Sequence, residues 1–416
     1  MSVINHWKQV ILGQVAENIS RPFDLKGRER AIFLNTGDIL EGKFLHKKWS
    51  NTKGIVGQAK KAIKKGDILF SEIRPMNSRY AFVDFDADDY VVSTKFMVIK
   101  SGDEINNEYL YKILTYKETL RQFQAIAEAR SGTFPQVTFN AIAHFPIKLP
   151  PLVEQKEIVG ILSSLDNKIE LLRKQNETLE QIAQAIFNEW FVEFNFPNEK
   201  GEPYKASGGK MIESELGEIP EGWEIDRISD YVTIRGGTTP STKIKDYWNG
   251  NIAWTSPKDL SGLNAMFLLK TEKKITEEGL KKIGSGLLPK GTLLLSSRAP
   301  IGYLAISSID IAINQGYIAF LSGQYFSNNY MFLWLKANMQ KVINAANGST
   351  FLEISKSSFQ KIECFVPEEG ILKEFDLITQ AIFEKISKNL YQIETLSQVR
   401  GALLPRLMSG EARVKI

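Results

Sequence analysis

The second half of this chain repeats the first. Between about Thr133 and Ile186, adding 217 to a residue number lands repeatedly on a like residue. Thr133 and Phe134 map to Thr350 and Phe351, Pro150 to Pro367, Lys156 and Glu157 to Lys373 and Glu374, Lys168 and Ile169 to Lys385 and Ile386, and Ala185 to Ala402. Glu177, Thr178 and Leu179 map to Glu394, Thr395 and Leu396. Upstream the match continues with offsets of 225 (Gly66 to Gly291, Ser71 to Ser296, Pro75 to Pro300) and 221 (Tyr109 to Tyr330), which implies loop insertions between shared elements. So long a period is not that of a solenoid, and each copy is expected to be a domain followed by a connector.

The connector carries a helical seam. Ile158, Leu162, Leu165, Ile169, Leu172, Asn176, Leu179, Ala183, Ile186 and Trp190 alternate at spacings of four and three, the pattern of a heptad stripe. Pro150 and Pro151 punctuate its start, Glu154 and Glu157 suit a helix N-terminus, and Pro197 follows its end. About 37 residues of helix would span ~55 Å. The second copy reads Phe375, Thr379, Ile382, Ile386, Asn389, Ile393, Leu396, Arg400, Leu403 and Leu407, a weaker stripe at the same spacing. Either each helix packs on its own globular domain, or the two pair as an antiparallel coiled coil related by a pseudo-twofold axis. With that axis near residue 174, Asn176 is expected to face Asn389, a polar layer that would fix register.

The fold class expected is therefore α+β: two mixed α/β domains and two long antiparallel helices, related by internal duplication. The divisions are 1–150, a first helix at 151–196, a linker at 197–222, 223–367, and a second helix with the C-terminal tail at 368–416. Glycine and proline at Pro197, Gly201, Pro203, Gly208, Gly209, Gly217, Pro220 and Gly222 are what make 197–222 read as a linker. In the globular blocks, Tyr90 to Ile99 and Gly291 to Ser297 read as strands, and Asn107 to Phe123 and Asn328 to Ile343 as helices.

Charge follows the same divisions. The net +4 of the chain conceals 22 basic against 16 acidic residues in 1–150, 7 against 14 in 151–222, 16 against 11 in 223–367, and 7 against 7 in 368–416. The basic blocks suit a polyanion such as DNA, and the others suit protein partners. Hydrophobic residues at 43% and charged residues at 24% are ordinary for a globular protein. No run approaches a membrane span and Met1 to Gly13 lacks a signal-peptide core, so a cytoplasmic location and no membrane contact are expected.

Few residues offer chemistry. Cys364 is the single cysteine, which excludes an intrachain disulfide and a cysteine-cluster zinc site. His6, His46 and His144 are scattered without helical-spacing partners, so neither a metal site nor a His-based triad is visible. There is no Gly-x-x-x-x-Gly-Lys-[Ser/Thr] loop, no Gly-x-Gly-x-x-Gly and no Asn-Pro-Pro-[Tyr/Phe]. The acidic run Asp84 to Asp89 has Asp89 and Lys95 where a calcium loop needs Gly and Glu, and reads as a solvated turn.

Three stretches carry a resemblance: Leu149-Pro-Pro-Leu-Val-Glu-Gln-Lys-Glu-Ile-Val entering the first helix, Leu216-Gly-Glu-Ile-Pro-Glu-Gly-Trp before the second block, and Leu403-Leu-Pro-Arg-Leu-Met-Ser-Gly-Glu-Ala-Arg-Val at the end. In this order, across essentially the whole chain, they resemble the specificity subunit of type I restriction-modification systems. The second helix entry departs from the pattern, since Val366-Pro-Glu-Glu-Gly lacks the paired prolines and the Glu-Gln. The resemblance implies that the two globular blocks are target recognition domains, each reading one half of a split sequence in double-stranded DNA, with the helices setting the gap. It also implies two methylation subunits that use S-adenosylmethionine and restriction subunits that use ATP, with no cofactor, no metal and no catalysis in this chain.

Candidate DNA contacts follow from residue chemistry. In the first block Lys43, Lys47, Lys48, Trp49, Ser50, Asn51 and Lys53 put cations for phosphate beside polar and aromatic groups able to reach bases, unless they form an ordinary basic loop. Arg74 and Arg298 lie in the duplicated Ser-x-x-x-Pro segments, one position out of register, and are either guanine readers or salt-bridge partners. Ser93-Thr94-Lys95 and Asn314-Gln315 occupy matching places after strand-like runs, and Trp254 and Lys258 complete the second block's candidates. Arg130 and Ser131, with Asn347 and Ser349, precede the duplicated Thr-Phe as polar loops that are either phosphate-binding or merely turns. A specificity chain of a type II system cutting on both sides of its site, and a helical scaffold that ignores DNA, are the alternatives.

Overall fold

The computed structural model describes residues 7–24, 27–54, 59–130, 133–298, 300–323, 325–348 and 352–414. Its contacts divide into two units, Met1–Asn167 with Ser397–Ile416, and Lys168–Leu396. In the first unit the principal strands are β1 (Lys8–Ile11), β2 (Ala16–Ile19), β3 (Arg30–Leu34), β4 (Ala59–Ala62), β5 (Ile68–Ser71), β6 (Tyr80–Phe82), β7 (Tyr90–Ser93), β8 (Phe96–Ser101) and β9 (Pro146–Leu149). Helices α1 (Asn107–Thr115) and α2 (Lys117–Arg130) lie between β8 and β9, and β9 leads into the long helix α3 (Leu152–Phe191). The second unit has β10 (Glu224–Arg227), β11 (Thr233–Gly236), β12 (Trp248–Thr255), β13 (Lys273–Ile275), β14 (Leu293–Ser297), β15 (Ile301–Ser307), β16 (Ala312–Ile313), β17 (Tyr317–Leu321) and β18 (Glu363–Val366). Its helices are α4 (Asn328–Ala337) and α5 (Met339–Asn344), and β18 leads into α6 (Glu369–Ser409).

The duplication extends to sheet topology. One sheet runs β6-β5-β8-β2 in the first unit and β15-β14-β17-β11 in the second, where Phe267–Leu268 extends it. A second sheet pairs β7 parallel to β3 and antiparallel to β4; in the second unit β16 runs parallel to β12, which is antiparallel to β13. Gly66 and Gly291 sit at matching turns with the same φ of +90°, a left-handed conformation that L side chains resist. Asn107 Nδ2 donates to the Gly66 carbonyl at 3.2 Å, and Asn328 Nδ2 to that of Gly291 at 2.7 Å. The helices that follow are capped alike, Asn106 accepting from the Tyr109 amide and Ser327 from the Tyr330 amide. The helical run expected over Asn107 to Phe123 breaks at Tyr116, and that over Asn328 to Ile343 at Asn338.

Helix α3 has 40 residues and α6 has 41, about 60 Å each at 1.5 Å per residue. In the second unit Asn389 Nδ2 donates to Asn176 Oδ1 at 2.8 Å, while the Phe375 ring meets Phe187, Trp190 and Phe191. Partner numbers rise along one helix as they fall along the other, so the segments pair antiparallel. The first unit keeps the same sense, with Asp166 ion-paired to Arg400 and Glu154 to Arg413. Each globular part also packs on these helices, so the two arrangements open in the sequence coexist within each unit.

The segment read as a linker, 197–222, is ordered. Met211–Ile212 pairs with Ile219–Pro220, and Phe194, Phe196, Ile219 and Trp223 are buried in the second unit's core. Glycine and proline shape its turns, but aromatic side chains pin it down: Phe196 stacks on Tyr204 at 4.6 Å and on Trp223 at 5.4 Å.

Equivalent positions hold the globular parts to the helices by different chemistry. In the first unit Lys112, Asp166 and Arg400 form a charged cluster; their counterparts Leu333, Phe383 and Ala183 are buried together in the second. Glu154, fully buried, accepts from Trp7 Nε1 at 3.1 Å and from Arg413 Nε and Nη2 at 2.6 and 2.8 Å. The second unit has Ile371, Trp223 and Phe196 in these places. Trp223 Nε1 accordingly finds no acceptor among the described residues, because the carboxylate that would take it is replaced by isoleucine. Among the described residues no helix is long and apolar enough to cross a membrane.

Candidate nucleic-acid interface

The strand expected over Tyr90 to Ile99 is two strands. β7 belongs to one sheet and β8 to the other, and the turn at Thr94 and Lys95 carries the chain across. That turn is closed by the Lys95 amide donating to Ser93 Oγ at 3.3 Å. Two further segments meet there. The Glu72 amide donates to the Lys95 carbonyl at 2.9 Å, and the Val137 amide to the Glu72 carbonyl at 2.8 Å. Ile73 forms a bridge with Gln136, and Lys95 Nζ lies 3.5 Å from Gln136 Oε1.

The second unit builds the same junction. Between β16 and β17 the Gly316 amide donates to Asn314 Oδ1 at 2.8 Å. The Ser297 amide donates to the Gly316 carbonyl at 2.8 Å, and the Ile354 amide to the Ser297 carbonyl at 3.0 Å. Arg298 bridges Glu353, as Ile73 bridges Gln136. Thr239 Oγ1 donates to Gln315 Oε1 at 2.6 Å. Gly237 runs against this turn so closely that a Cβ would lie 1.9 Å from the Ile313 carbonyl oxygen.

On these matching frames the side chains differ. Arg74 is exposed and adopts φ +43° beside its amide's bond to the Pro135 carbonyl at 3.1 Å, strained backbone for a residue other than glycine. Arg298 is held by Glu353 at 3.5 Å, with side chains 37% and 48% exposed. A pair so open to water contributes at most about 1 kcal/mol, so a ligand could part it.

Matches to known proteins follow the duplication. The model for the type I restriction modification DNA specificity domain matches twice, at residues 5–181 and 220–398. The chain belongs to the type I restriction-modification DNA specificity family. It is 36% identical over 460 residues to the type I restriction enzyme HindI specificity subunit of Haemophilus influenzae, covering 98% of this chain and 100% of that one. The MjaIX specificity subunit of Methanocaldococcus jannaschii is 33% identical over 189 residues, 45% of this chain and 44% of its own. In fold, the crystal structure of the type I restriction-modification system S subunit from M. genitalium superposes with a TM-score of 0.61 at 13% identity, covering 98% of both chains.

The other candidates suggested by residue chemistry lie on separate segments. Lys43 lies on a small hairpin, Ile39–Leu40 with Lys43–Phe44, tied to the strand beyond Arg74 by the Glu41 and Gly42 amides donating to the Ser78 and Tyr80 carbonyls. Lys47, Lys48, Trp49, Ser50, Asn51 and Lys53 follow in exposed backbone, Lys47 standing 5.9 Å from the Phe85 ring and Asn51 Oδ1 accepting from the Lys53 amide at 2.9 Å. Thr94 is half-buried in its turn, and Arg130 is exposed at the end of α2. Asn347 is exposed, with its Nδ2 directed at Ser358 Oγ at 3.3 Å. Lys258, on the helical turn Pro257–Ser261, is ion-paired with Glu272 at 2.9 Å. Ser131 and Ser349 lie outside the described residues.

Trp254 is a correction. It is 5% exposed, packed edge-on to Trp248 at 5.1 Å and buried with Ile275, Ile283 and Ala312. On β12 the pleat turns its ring into the core, where it serves packing and cannot reach a base. Gln136 and Glu353, which stand at the two junctions, are not among the residues that the sequence singles out. The only sequence signal for them is the constant offset of 217 just after the duplicated Thr-Phe, and their residue types differ. Cys364 is buried, which pushes its thiol up to about 12 and leaves it inert as a nucleophile. Among the described residues no His, Cys, Asp and Glu cluster could hold a metal ion.

Proposed function

We propose that this chain is the non-catalytic, DNA-reading subunit of a type I restriction-modification complex, each globular unit reading one half of a split target and the long helices setting the gap. One observation carries the reading: a single chain holds two copies of the specificity domain whose junctions share the same crossing backbone hydrogen bonds while their exposed side chains differ. Matching frames with different side chains suit two different half-sites. The partners are two methylation subunits that supply S-adenosylmethionine chemistry and restriction subunits that supply ATP-driven chemistry, and the complex works on DNA in the cytoplasm.

Mapping methylated adenines in DNA modified by this chain with its methylation subunits tests the reading. The expected motif has two specified parts separated by unspecified bases; a continuous motif would overturn it. The basic loop contributes a separate expectation. Replacing Lys47, Lys48 and Lys53 together by alanine should weaken binding to all sequences alike and flatten the slope of log affinity against log salt by about 3, since each phosphate contact contributes about 0.9. A changed motif with an unchanged slope would assign these lysines to base reading instead.

A further inference from the structure

Resting on the function proposed above, we infer that the junction where three segments meet is the base-reading element of each unit, with Lys95 and Gln136 setting one half-site and Arg298 and Glu353 the other. In both units the chain leaves one sheet and enters the other at this point, and two further segments add a hydrogen bond each to the crossing turn. The backbone bonds from Glu72 to Lys95 and from Val137 to Glu72 recur from Ser297 to Gly316 and from Ile354 to Ser297 within 0.2 Å. A frame anchored to both sheets holds side chains to the tolerance that base recognition demands.

The crossing backbone bonds persist between the units while side chains that the frame presents change. Lys95 is replaced by Gly316, Ile73 by Arg298, and Gln136 by Glu353. A purely structural junction would keep complementary buried groups, yet Lys95 and Gln136 are half-buried with a contact of 3.5 Å, and Arg298 and Glu353 are partly exposed with a contact of 3.5 Å. These long contacts, neither of them fully buried, leave donors and acceptors to offer. Their types match base edges: lysine and arginine address guanine O6 and N7, glutamine addresses adenine, and a carboxylate accepts from the cytosine amino group. Side chains of the first junction thus favour purines in one half-site. Those of the second favour a G·C pair in the other, Arg298 on guanine and Glu353 on cytosine.

The test uses the complex of the full chain with its methylation subunits. Methylated adenines are mapped for the wild type, Gln136→Ala and Glu353→Gln, and bound duplexes are selected from a randomised library as a second readout that needs no methylation. Gln136→Ala is expected to relax one position of one half-site by about tenfold or more in discrimination. Glu353→Gln is expected to move one position of the other half-site from cytosine toward adenine. In each case the opposite half and the gap stay as they were. Unaltered base preference in the selected duplexes, whatever the methylation rate, would overturn the assignment, as would a change in both halves at once. A wild-type target without two parts would instead sink the underlying function, an outcome separable because it is read before any variant is made.

Discussion

Phe375→Ala is expected to destabilise the second unit by about 3–5 kcal/mol, the usual cost of emptying a large aromatic site that cannot collapse. The Phe375 ring is fully buried and lies 4.9 Å from Phe191, 5.7 Å from Trp190, 6.1 Å from Phe187 and 6.2 Å from Tyr330, centroid to centroid. It therefore joins both helices to the globular part at once. The first unit makes the corresponding attachment with charge. Asp166 serves both Lys112, whose side chain is 13% exposed, and Arg400, at 39%. Asp166→Asn should cost less, about 1–2 kcal/mol, because the cations it leaves are partly hydrated. The two losses should also respond differently to salt. Raising ionic strength screens the charged attachment and leaves the apolar one nearly untouched. Thermal unfolding of both variants at low and high salt checks this; a salt-sensitive loss for Phe375→Ala, or one below about 1 kcal/mol, would mean that the aromatic cluster does not hold the second unit together.

How much of this was legible depended on whether a feature is written in neighbouring residues. The long helices were, since a seam such as Ile158, Leu162, Leu165, Ile169 and Leu172 repeats every turn or two and needs only the helix to bring it into line. Even there the buried stripe includes Phe187 and Phe383, one residue beyond the seam positions Ile186 and Ile382, because the globular part packs on the side of the helix as well as its partner does. Residues 197–222 misled because glycine and proline dominate the local pattern, whereas Phe196 and Trp223 are fixed by contacts that sequence distance conceals. The junction was legible by halves. Lys95 and Arg298 stand out as polar residues after strand-like runs, but Gln136 and Glu353 acquire meaning only when a third segment arrives from about 40 and 55 residues away to bridge them. Trp254 failed for the converse reason: residue type suggested an interface, and the direction of its side chain from β12 decided otherwise.

Asn176→Leu should destabilise the helix pair by about 1–3 kcal/mol, the penalty for leaving a buried amide without its partner. Asn389 is 2% exposed, and its Nδ2 donates to Asn176 Oδ1 at 2.8 Å while Asn176 Nδ2 points at the Ile386 carbonyl at 3.4 Å. The duplication maps Asn176 onto Ile393 and Asn389 onto Leu172, so the polar layer has no polar counterpart under the internal symmetry. It marks one alignment of two otherwise similar stripes. A slide of one heptad would set Asn176 against Ile382 or Leu396 and bury its amide among apolar side chains, at a similar cost. The double variant Asn176→Leu, Asn389→Leu should accordingly recover most of the stability lost by the single one, because both partners become apolar together. It should do so at the expense of a single register, which disulfide trapping between cysteines placed along the two helices would read directly. Double-variant helices trapped in one register only would show that apolar packing alone sets the alignment and that the asparagine layer contributes nothing to it.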